Sequence, residues 1–104
     1  MTQNETNEMT EIRPEDMSLD ELREEIEDID REIVELIARR TYVADTVAQV
    51  KAEQDLPTTD ESQEDKVMER AGLNAERFEV DANLVKAIFR LLIELNKVEQ
   101  RESR

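Results

Sequence analysis
The sequence predicts an all-α protein: three helices per chain, in a bundle that a second copy completes. Three observations predict it. Apolar residues recur at heptad spacing through residues 19–51. The chain has a single Gly and only 2 Pro. Ser18 with Glu21, and Asp60 with Gln63, form capping-box patterns that open helices.

The composition agrees. Aromatic residues make up 3% of 104, too few, with so little glycine, for a strand-and-turn protein. At this length the chain is one domain, and a core of Leu, Ile, Val and Ala in so short a chain is thin. That is why the apolar seam calls for a second chain.

The first helix carries that seam. Leu19, Leu22, Ile26, Ile29, Ile33 and Leu36 step by three and four, and Val43, Val47 and Val50 resume the pattern. Arg40 takes the a position in the gap. A cation on an apolar seam is costly unless something anionic meets it. Lys51 follows eleven residues later, almost three whole turns, so it shares the azimuth of Arg40 with α-carbons roughly 16 Å apart. The helix therefore reads as the spine of the fold and one wall of an anion pocket. Asp20 and Glu21 suit its N-terminal dipole. It meets no Gly or Pro before about Glu53, which makes it about 50 Å long. A helix of that length projects from a small globule or bridges two subunits. The segment around Pro57 is expected to break it.

Asp60 is the expected N-cap of the second, short helix. Val67, Met68 and Ala71 give it an apolar face, and Gly72 is the expected stop, followed by a loop over residues 73–80. Asp81 then caps a third helix that runs to about Arg101. Leu84, Ile88, Leu91 and Leu95 line one face of it. A second line runs Val85, Phe89, Leu92, Asn96 and Gln100, apolar at first and ending in two amides. Residues 1–17 are polar and carry five acids against Arg13, which predicts a disordered tail ahead of a helical domain at 18–104. Met17 is a second candidate start.

Charge and missing residue types exclude several functions. With 28 acidic and 14 basic residues, the net charge of −14 repels nucleic acid and anionic membranes, so neither is expected as a partner. Abundant acids with few lysines read as a cytoplasmic protein from a salt-rich cell. The chain has no Cys and no His, which excludes disulfides, thiolate nucleophiles, Cys/His zinc sites and histidine bases. No apolar run approaches a membrane span or a signal-peptide core. What stands out instead is a set of donors: Arg40, Lys51, Asn96 and Gln100. None needs to exchange a proton. Such a site binds an anion and stabilises charge electrostatically rather than by acid–base or covalent chemistry.

An ordered set of short motifs then fits a known family. L-R-E-E-I-E-D-I-D at 22–30, A-R-R at 38–40, Lys51, P-x-x-D at 57–60, Glu64 and F-R-L-L-I-E-L-N-K-V-E-Q at 89–100 occur in sequence without obvious gaps. With this set, residues 18–100 resemble the all-helical (AroQ-type) chorismate mutases, and a halophilic archaeon is the expected source. The resemblance implies conversion of chorismate to prephenate, a Claisen rearrangement in phenylalanine and tyrosine biosynthesis. It also implies an intertwined homodimer with two shared active sites, no cofactor and no metal.

Roles follow by resemblance. Arg40 binds a substrate carboxylate, and Arg23 reaches into the partner's pocket. Lys51 and Gln100 meet the ether oxygen. Glu64 accepts from the ring hydroxyl with Asp60 nearby, and Asn96 donates to a carboxylate. Gln63 stands where the family commonly has arginine, and Lys66 is the candidate replacement cation. At this length no fused second enzyme is expected. Two other readings compete: an isochorismate pyruvate-lyase of the same fold, and a non-catalytic acidic helical dimerisation module.

Overall fold
A computed structural model describes residues 13–57 and 61–102, the last five of these by backbone alone. All regular structure among them is helical. One 3-10 turn, Pro14–Asp16, precedes α1 (Leu19–Glu53), α2 (Glu61–Arg77) and α3 (Ala82–Glu102). The chain divides into two compact units, Met1–Leu36 and Ile37–Arg104.

The first unit holds the start of α1. The expected capping box is there in both directions. The Ser18 amide donates to Glu21 Oε1 at 2.9 Å, and the Glu21 amide donates to Ser18 Oγ at 3.2 Å. Two amide donors that the helix cannot satisfy internally are thereby paired. The 3-10 turn lies within the stretch expected to be a disordered tail, and is closed by the Asp16 amide on the Arg13 carbonyl at 2.8 Å. Along α1 the seam residues Ile26, Ile29, Ile33 and Leu36 are exposed in this single chain, Ile26 at 56%.

In the second unit α2 packs on α3. The contact is built from small residues. Ala71 and Ala75 are buried, and Gly72 lies buried beside them. This overturns the expected stop at Gly72 and the loop over 73–80: α2 continues to Arg77. The glycine serves packing instead. A Cβ placed on it would come within 2.6 Å of Lys86 Cε, so the missing side chain makes room for the lysine stem that α3 lays across it.

The real stops are of another kind. After α2 the Val80 amide bonds the Ala75 carbonyl at 2.8 Å and the Glu79 amide bonds that of Glu76 at 3.2 Å, with Glu79 at φ 60°. After α1 the Leu56 amide bonds the Lys51 carbonyl at 2.8 Å and the Asp55 amide bonds that of Ala52 at 3.2 Å, with Asp55 at φ 59°. Both are Schellman motifs, the left-handed position filled by an acid rather than glycine. So α1 ends at Glu53 as expected, in the stretch that leads to Pro57. Asp81 does cap α3: its Oδ1 accepts from the Leu84 amide at 2.9 Å. Asp60, the expected cap of α2, lies outside the described residues.

The apolar face of α3 stays open. Leu84, Ile88 and Leu91 are exposed, Leu91 at 69%, as are Val43, Val47 and Val50 of α1. The second line behaves differently: Val85, Phe89 and Leu92 are half-buried and Asn96 is buried.

Candidate active site
Three short helical repeats meet around one cavity of about 380 Å³ in the second unit. From α1 come Arg40, Val43, Ala44, Val47, Ala48 and Lys51. Their steps of three and four place them on one face, as the shared azimuth of Arg40 and Lys51 requires. Gln63, Glu64, Val67 and Arg70 come from α2, and Ile93, Asn96 and Lys97 from α3. Among the described residues the lining joins aliphatic side chains to four cations, one carboxylate and two amides. In a chain of net charge −14 this concentration of positive charge marks a place for an anion.

Arg40 is held before any ligand arrives. Its Nη1 donates to Asn96 Oδ1 at 2.9 Å, and its guanidinium lies 5.6 Å from the Phe89 ring centroid. Asn96 Nδ2 donates in turn to Thr41 Oγ1 at 3.2 Å, which fixes the amide with its oxygen toward the arginine. Asn96 is 8% exposed, a buried polar group with both ends of its amide paired. The cation on the seam is thus met by an amide oxygen and an aromatic ring. The donors left over on the guanidinium fork remain for an anionic ligand.

On the opposite side Lys97 Nζ lies 3.2 Å from Glu64 Oε2, each side chain about one-third exposed. This pair links α3 to α2 along the cavity edge.

Of the residues singled out from the sequence, Arg40, Lys51, Gln63, Glu64 and Asn96 come together here. Arg23 belongs to the first unit, where it is exposed on α1. Gln100 lies in α3, its side chain outside the described residues, as is all of Asp60. Lys66 is exposed and does not line the cavity. Two other cations do, Arg70 and Lys97. Neither is assigned to the site from sequence, although spacing alone could have found Arg70. Arg70 lies three residues after Val67 and seven after Gln63, a residue already assigned to the site, whereas Lys97 lies four after Ile93, on a line of α3 not singled out from sequence.

With the geometry in place, likeness to known proteins becomes informative. Residues 22–101 match the family described as chorismate mutase type II. The chain belongs to the type II chorismate mutase family. That stretch runs from just before Arg23 to just after Gln100. A chorismate mutase from Methanocaldococcus jannaschii is 36% identical over 84 residues, covering 81% of this chain and 85% of that protein. The T-protein of Haemophilus influenzae is 32% identical over 73 residues, 70% of this chain but only 19% of that longer protein. The enzyme is an isomerase with chorismate mutase activity, a step of aromatic amino acid biosynthesis, and its helical fold is the one the family requires. No helix among the described residues is long and apolar enough to cross a membrane.

Proposed function
We propose that the chain rearranges chorismate to prephenate by charge stabilisation in a cavity completed by a second copy. The observation that carries this is the placement of Arg40 and Lys51 on one wall of a single cavity, with Asn96 bracing the arginine. The substrate is a dianion with a ring hydroxyl and an enolpyruvyl ether. As the ether C–O bond breaks and the new C–C bond forms, electrons move in a ring and no proton is transferred. Negative charge gathers on the ether oxygen. Lys51 and Gln100 donate to it, Arg40 holds one carboxylate, and the partner subunit's Arg23 holds the other. Glu64 accepts from the ring hydroxyl, with Asp60 nearby, and Gln63 adds a neutral contact. Donors fixed in advance at developing charge are the largest single contribution such a site can make. The absence of His and Cys costs this chemistry nothing.

The assembly we propose is an intertwined homodimer. Its support is the row of exposed apolar residues on α1 and α3, which a lone chain leaves in water. We place the enzyme in the cytoplasm of a halophilic archaeon, on the strength of its acidic composition. The test is a direct assay of chorismate loss and prephenate formation in several molar KCl. Prephenate is the expected product. Pyruvate released from isochorismate, with chorismate left untouched, would assign the lyase instead.

A further inference from the structure
Within the cavity one side chain does not suit a dianion. Among the described residues Glu64 is its one carboxylate, set among Arg40, Lys51, Arg70 and Lys97. Left alone it would repel the substrate that the cations attract. Lys97 answers it at 3.2 Å. The same two residues and Ile93 also line a second hollow of about 300 Å³, formed with Asp65, Met68, Arg90 and Glu94. The ion pair therefore borders both hollows.

We infer that Lys97 is a positioning residue. It pins the Glu64 carboxylate at the cavity edge as a hydrogen-bond acceptor and cancels its charge, so that the site admits a dianion. This rests on the chorismate reading of the site. It differs from direct contact, in which Lys97 would leave Glu64 and bind a substrate carboxylate. The geometry favours the first. Lys97 is engaged on α2, and Arg40 and Arg70 already offer guanidinium donors around the same space. Pairing with a carboxylate already offsets the lysine charge, whereas a guanidinium fork presents further donors in a fixed plane.

The experiment is a double-mutant cycle on the full chain, with chorismate as the probe. Lys97→Met should raise KM roughly tenfold and leave kcat within about threefold, because the lost interaction acts in ground state and transition state alike. Lys97→Arg should restore KM. In a Glu64→Gln background, where the carboxylate that Lys97 meets is gone, Lys97→Met should add less than about twofold. An equal or larger effect in that background would show direct substrate contact and overturn the inference, as would a Lys97→Met enzyme with unaltered KM. Circular dichroism monitors folding, and if Lys97→Met fails to fold, Lys97→Gln carries the same comparison. An unaltered chain that leaves chorismate untouched overturns the chorismate reading, and the inference with it. An active unaltered chain with no Lys97 effect overturns the inference alone.

Discussion
Asn96 shows how one amide can organise a cationic site. It accepts from Arg40 and donates to Thr41, and it is buried while doing so. Asn96→Ala should free the arginine and leave Thr41 without this partner. A stability loss of about 1–3 kcal/mol is expected by denaturant titration, with a higher KM from a guanidinium no longer held in place. Lys51 is different in kind. It sits half-buried in the last turn of α1 and lines the cavity. Lys51→Ala should leave the helical signal in circular dichroism unchanged while lowering kcat/KM by about a hundredfold or more, the usual cost of one preorganised donor at developing charge. Turnover within threefold of the unaltered enzyme would remove Lys51 from the mechanism. At this scale the sequence was legible: Arg40 and Lys51 stood out as cations in an apolar repeat. Lys97 did not, because a lysine near the end of a charged helix looks the same whether or not it has a carboxylate to meet.

At the scale of elements, a single glycine misled the reading of α2. Glycine is the commonest left-handed stop, so Gly72 looked like the end of a helix. In the structure the left-handed position is held by Glu79, and Gly72 sits mid-helix under Lys86. Both placements carry a cost that a swap should relieve. Glu79→Gly removes a side chain from a backbone region that costs L-residues about 1–2 kcal/mol, part of which returns as unfolded-state entropy. Gly72→Ala gains helix propensity of up to about 1 kcal/mol, and the atom it meets is the movable end of a lysine. Thermal melts at fixed protein concentration should show each variant raised by a few degrees. A Gly72→Ala variant that melts lower would mean Lys86 cannot move aside. The Ser18–Glu21 capping box and the Asp81 cap, by contrast, depend on residues three positions apart and are readable directly.

For the whole molecule, the exposed seams and the charge set the behaviour. The proposed dimer carries twice the −14 of one chain. At molar salt the screening length shrinks to about 3 Å, so repulsion within and between chains fades. Melting temperature should climb from dilute buffer to molar KCl, and a salt-independent melt would contradict the halophilic proposal. Shared sites have their own test. Arg23→Ala and Arg40→Ala homodimers should each be nearly inactive. After joint unfolding and refolding, about half the dimers are mixed, each with one pocket intact and one lacking both arginines, so activity should recover to roughly a quarter of the unaltered level. If mixing restores nothing beyond the average of the two, Arg23 does not act across the interface.

The sequence by itself determined the number of long helices, the heptad spacing, both caps described at helix starts, and the common face of Arg40 and Lys51, but not where α2 ends. All of these follow from spacing along one chain segment, where the 3.6-residue turn converts sequence distance into direction. Tertiary structure decided what those directions meet. Asn96 lies 56 positions from Arg40 and finds it only because α3 returns beside α1. Glu64 and Lys97 are likewise joined by packing rather than by spacing. Gly72 reads as a stop until the lysine stem lying over it is seen. Local hydrogen bonding and periodicity are written in neighbours. Charge pairing and close packing depend on which distant residues fill the same space, and for those the fold is the arbiter.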